Sequence, residues 1–139
     1  MNYISTILAV SVGGAIGAML RYCLSSTLDK NRFDLPFGTF LANMLASFIL
    51  GLFLGLARSE PTSELFVYFT QSGFCATLST FSSLAFQIAE MLREKRYEEA
   101  FAYSLTTFLL GMLLFALALK IFLTNTTTDF YAVARVFFD

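Results

Sequence analysis

Four long apolar runs separated by short polar stretches set the pattern of the chain. Each reaches the roughly 20 mostly apolar residues that a helix needs to cross a bilayer. They predict four membrane-spanning helices over about 3–28, 36–58, 64–92 and 98–123, in one membrane domain covering 1–139, with a tail over 124–139. The polar breaks agree with this reading. Residues 29–35 separate the first two runs, and Pro36 follows where an opening helix tolerates proline best. A second break, 59–63, carries Glu60 and Pro61, and 93–99 is a mixed-charge run with the character of a solvated loop. Phe130, Tyr131, Val133, Val136, Phe137 and Phe138 suit the tail to the membrane interface rather than to water.

The third run departs from the pattern at its middle. Between Gly73 and Ser83, the hydroxyls of Thr77, Ser79, Thr80, Ser82 and Ser83 fall within seven residues. Hydroxyls in hydrocarbon cost free energy unless they find partners, so these must face protein, water or an ion. Ser and Thr also compete for backbone hydrogen bonds, so the run predicts a break in the third helix that frees backbone carbonyls and N–H groups at membrane depth. Backbone exposed there is how channels and transporters build ion sites.

Polar and small residues in the other spans mark faces that avoid lipid. Gly13 and Gly17 have the small-xxx-small spacing that lets membrane helices approach closely, and Arg21 follows on the face of Gly14, Gly17 and Ala18. Arg21 reads either as an interfacial anchor that snorkels to the headgroups or as one half of a structural ion pair at a subunit contact. Asn43 is the one amide in an otherwise apolar second span, so it should face inward, either tying two helices together or offering its NH₂ to an anion. Tyr103, Thr107 and Gly111 fall at i, i+4 and i+8 in the fourth span, with Ser104 and Thr106 beside them, as a polar track or as interhelical hydrogen bonds. Phe81 and Phe86 read by default as packing aromatics.

Composition narrows the function classes. The 139 residues are 57% hydrophobic and 14% charged, well above the roughly 45–50% apolar share of soluble domains. Four spans leave no room for a soluble catalytic domain. A net charge of −1 without a basic cluster argues against nucleic-acid binding. There is no His, and the two cysteines, Cys23 and Cys75, stand on different spans, where free thiols are expected. No nucleophile–base–acid set can be assembled, which argues against an enzyme. The N-terminus lacks the positive n-region of a signal peptide, so the first run should stay as a span. The loops after spans one and three carry Lys30, Arg32, Arg93, Lys95 and Arg96, against Arg58, Lys120 and Arg135 on the terminal side. That five-to-three balance is a weak bias under the positive-inside rule and leaves both orientations open.

Three segments in register resemble the small bacterial fluoride channels, the Fluc or CrcB-like family. They are Gly13-Gly14-Ala15-Ile16-Gly17-Ala18-Met19-Leu20-Arg21-Tyr22, then Pro36-Phe37-Gly38-Thr39-Phe40-Leu41-Ala42-Asn43, and Gly73-Phe74-Cys75 followed by Ser79-Thr80-Phe81-Ser82. The resemblance implies an all-α, multi-pass protein of the cell (inner) membrane with four transmembrane helices, the third broken, assembled as a dual-topology antiparallel homodimer with two fluoride pores. It also implies passive F⁻ export, a structural Na⁺ held by the backbone carbonyls of Ala76 and Ser79, and no organic cofactor. In the same way Asn43 would donate to the ion, Phe81 would line the pore with Ser82 and Leu84, and the hydroxyls of Tyr103 and Thr107 would lie further along. Gly17, Gly73 and Arg21 would be structural.

The chain also departs from that family's pattern. Ala76-Thr77 stand where two glycines are usual, Ala46 where another is, Gln87 where a glutamate is, and Leu84 where a second pore phenylalanine is. Leucine lacks the positive ring edge that meets an anion. A paralogous partner chain carrying the better pore, in a heterodimer, is therefore the alternative to a homodimer. A small multidrug-type exporter shares the four-span plan but needs a membrane-embedded carboxylate; the first span has no Asp or Glu, and Glu90 lies close to the end of its span.

Overall fold

The computed structural model describes residues 3–29, 36–59 and 61–123. The predicted interfacial tail and the positions of Lys30 and Arg32 lie outside these residues. Among the described residues every regular element is helical: α1 (Tyr3–Leu28), α2 (Phe37–Ser59), α3 (Glu64–Val67), a π-helical segment π1 (Tyr68–Cys75), α4 (Ala76–Leu78), α5 (Phe81–Arg93) and α6 (Tyr97–Leu123). Three helices, Tyr3–Leu28, Phe37–Arg58 and Tyr97–Ile121, are long and apolar enough to cross a membrane. Residues 64–93 are divided among four elements instead of forming one long helix.

Local chemistry accounts for the boundaries. Phe66 N–H donates to the Ser63 hydroxyl at 3.3 Å, capping α3. At the far end of α5, Arg96 N–H donates to Met91 C=O (2.9 Å) and Lys95 N–H to Leu92 C=O (3.1 Å). That is the Schellman arrangement, with Lys95 taking the left-handed position at φ 63°. Arg96 then reaches Glu99 (2.6 Å) and Glu94 (3.0 Å) in an exposed cluster, so the charged turn satisfies itself, as a solvated loop should.

Packing follows the small residues. α1 lies directly on π1 and α4. Gly17 is buried there, and a Cβ on it would run into the Phe74 carbonyl and the Thr77 hydroxyl; one on Gly73 would lie 2.8 Å from Val10 C=O. Hydrogen-only side chains let the two backbones touch. Ala42, Ala46 and Leu78 form one core cluster, joined by Leu24, Leu45, Ile49 and Phe74. Met91, Ala100 and Tyr103 form another with Phe40, Leu84 and Ile88. By contrast the outer faces of α1 and α6 expose Ile4, Ile7, Leu8, Phe101, Phe108 and Met112. Such apolar faces on spans of this length suit lipid, not water.

Candidate functional site

α4 stops at Leu78 because two donors of the next turn are spent elsewhere. Ser79 (φ −73°, ψ 155°) and Thr80 (φ −151°, ψ 118°) are extended. Thr80 N–H, which in a continuous helix would bond Ala76 C=O, donates instead to Asn43 Oδ1 at 2.8 Å. Ser83 N–H, the helical donor for Ser79 C=O, goes to Thr80 Oγ1 at 3.2 Å and caps α5. The carbonyls of Ala76 and Ser79 are thereby left without the donors of a regular helix. Ala76 keeps right-handed backbone (φ −64°, ψ −31°), so alanine stands there without the left-handed strain that would demand glycine.

Asn43 grips the break with both ends of its amide. Besides accepting from Thr80 N–H, its Nδ2 donates to Thr80 C=O at 3.4 Å. This pairing crosses from α2 to the interruption, in the manner of one rung of a sheet, and realises the helix-tying role open to Asn43. One hydrogen of the NH₂ stays uncommitted. Thr77, in place of the second glycine, serves the seam: its hydroxyl lies 3.0 Å from Gly14 C=O and 2.9 Å from Gly73 C=O.

A cavity of about 560 Å³ opens beside the break, lined by Asn43, Ser79, Thr80, Phe81, Leu84 and Thr107, with Ser47 and Ser104 among its other walls. Phe81 is 83% exposed, so within this chain it is not a packing aromatic. Leu84 turns partly inward, against the cluster of Met91, Ala100 and Tyr103. Four of the six residues expected along a pore therefore share one cavity. Ser82 instead lines a smaller one of about 360 Å³, with Ser25, Asp29, Thr39, Ser83 and Gln87.

Tyr103 borders neither cavity. Its hydroxyl lies 3.1 Å from Gln87 Oε1 and 3.2 Å from Pro36 C=O, and Gln87 Nε2 donates to Thr39 Oγ1 at 2.7 Å. This network ties α6 to α5 and to the start of α2. The stripe of Tyr103 and Thr107 is thus split: Thr107 reaches the cavity, while Tyr103 joins helices. Arg21 is half-buried on α1 and makes no ion pair among the described residues. Cys23 and Cys75 are free thiols, the first exposed and the second buried. Ser47 escaped sequence reasoning; its one available signal was its position one turn after Asn43.

Comparison with known proteins gives the family. The family profile described as "CrcB-like protein, Camphor Resistance (CrcB)" matches residues 8–119. A protein of Ignicoccus hospitalis named "Fluoride-specific ion channel FluC" is 38% identical over 108 residues, covering 78% of this chain and 87% of that one. One of the same name from Pyrococcus abyssi is 43% identical over 103 residues, 73% of this chain and 81% of that one. "Fluoride-specific ion channel FluC 2" of Staphylococcus saprophyticus is 33% identical over 116 residues, 82% and 93% of the two chains. The match runs from α1 through most of α6 and includes the break.

Proposed function

The chain belongs to the CrcB-like family and is a multi-pass membrane protein, and from that premise we propose that it is a fluoride-selective ion channel, not an enzyme, that lets F⁻ leave the cytoplasm passively. HF that enters from an acidic exterior dissociates inside, and the channel returns the anion. The observation that carries this reading is the interruption at Ser79 and Thr80, held by Asn43 and opening on a cavity that pairs hydroxyl and amide donors with Phe81. A small, strongly hydrated anion gives up its water only to several donors at once. Hydroxyls, an amide N–H and the positive edge of a phenyl ring supply them without the tight hold of a full charge, so the ion can also leave.

In this reading residues 64–93 cross the membrane as the broken third of four spans. Two copies in opposite orientations form an antiparallel homodimer with two pores. Ala76 and Ser79 carbonyls, both stripped of helical donors, suit a monovalent cation, and Na⁺ at the dimer centre would bring positive charge to oxygens that otherwise lack partners. The two extended residues, Ser79 and Thr80, would then be held from one side by the ion and from the other by Asn43. Leu84 favours a second reading, in which this chain pairs with a paralogue that carries the aromatic ring missing here.

The test is efflux from liposomes reconstituted with the purified protein, followed with a fluoride-selective electrode. Fluoride should be released and chloride retained. Release of both ions, or of neither, would refute the homodimeric channel. Release that begins only when a paralogous chain is supplied would establish the second reading.

A further inference from the structure

An anion is bound by hydrogens, so the hydroxyls that matter are those whose protons are uncommitted, and on that ground we infer that Ser47 on α2 and Ser104 on α6 join the spare hydrogen of Asn43 and the Ser79 hydroxyl at the break as donors that meet the ion in the cavity. Thr107 is an acceptor toward the cavity, because its own proton goes to Tyr103 C=O at 2.7 Å. Tyr103 directs its proton to Gln87 or Pro36, and the Thr80 hydroxyl lies 3.1 Å from Ser83 Oγ and 3.2 Å from Ser82 Oγ. Ser47 and Ser104 differ from all three. Both line the cavity, both are half-buried, and neither hydroxyl bonds another described residue.

A serine inside a helix commonly returns its proton to the preceding turn. These two do not, and they cause no burial penalty. Among the described residues no fully buried side-chain oxygen or nitrogen goes without a partner, so both hydroxyls reach the open space of the cavity. Their placement forms a path. Ser47 stands one turn beyond Asn43 on the same face of α2, and Ser47 Oγ lies 3.3 Å from where a Cβ on Gly111 would be. Gly111 thus leaves the Ser47 hydroxyl room to turn toward the ion. Ser104, one turn before Thr107, lines the same cavity from α6. Donors from α2 and α6 along one cavity let fluoride exchange its hydration shell in steps.

This inference rests on the fluoride-channel reading, and its test separates the two. Ser47→Ala, Ser104→Ala and the double variant are compared with the wild type in the liposome efflux assay, with size-exclusion chromatography confirming that each stays monodisperse. Hydrogen bonds to a charged partner are strong enough that the double variant should release fluoride about tenfold more slowly or worse. Ser104→Thr, which keeps the hydroxyl, should recover most of the rate. A monodisperse double variant that conducts like the wild type overturns the assignment and leaves the channel reading standing. A slowed Ser104→Ala that Ser104→Thr does not rescue also overturns it, since volume and not the hydroxyl would then be at issue. A wild type that releases no fluoride overturns this inference together with the homodimeric channel.

Discussion

Asn43→Ala removes the side chain that takes the place of the helical acceptor of Thr80 N–H at the break. Thr80 N–H, buried and 2.8 Å from Asn43 Oδ1, would lose its partner, which costs about 1–3 kcal/mol for a buried backbone donor. The Nδ2 bond to Thr80 C=O at 3.4 Å is long and adds little. Thr80 N–H has one route of escape. It can return to Ala76 C=O, but only if Ser79 and Thr80 rotate from their extended ψ of 155° and 118° into helical backbone, which closes the interruption. At about 1.4 kcal/mol per tenfold in rate, the break is then depopulated or the pore slowed by roughly fivefold to a hundredfold. Fluoride efflux from liposomes measures this directly, beside Glu98→Ala as an exposed control. Asn43→Asp sharpens the comparison. It keeps an acceptor for Thr80 N–H and so should unfold closer to the wild-type temperature, yet it puts a carboxylate on the proposed anion path and should stop the flux. An Asn43→Ala variant with wild-type flux and wild-type thermal stability in detergent would refute the reasoning.

Other substitutions test neighbouring parts of the design. Gly17→Ala drives a methyl group into the Phe74 carbonyl and the Thr77 hydroxyl; overpacking of this kind costs about 1–3 kcal/mol and should appear as a lower thermal midpoint in detergent, whereas an unchanged midpoint would mean α1 is free to move off π1. Leu84→Phe places a ring beside Phe81 on the wall of the cavity and should raise the efflux rate; no change would show that a second ring edge does not limit conduction in this chain. Protein purified and reconstituted with N-methylglucamine in place of Na⁺ should conduct more slowly and recover when Na⁺ is restored. Full activity without Na⁺ would remove the cation from the carbonyls of Ala76 and Ser79.

Much of the architecture is written in local composition. Span lengths follow from runs of apolar residues, because a bilayer imposes one thickness on every helix that crosses it; α1 coincides with its predicted range, α2 is shifted from its range by one residue at each end, and α6 starts one residue early. The seam follows from Gly13 and Gly17, since only missing side chains let backbones touch. Hydroxyl density marked 73–83 as the place where regular helix would be disturbed. What composition cannot express is which donor goes to which acceptor. Five hydroxyls within seven residues permit a break at several positions. It falls at Ser79 and Thr80 because an amide 37 residues away takes the Thr80 N–H. Tyr103 and Thr107 share a helical stripe and look equivalent in sequence, yet one ties helices together and the other lines a cavity, because Gln87 and Pro36 stand beside only the first. A side chain carries its hydrogen-bonding capacity wherever it is placed; the use made of it depends on the groups that packing brings within about 3 Å, and those come from distant parts of the chain.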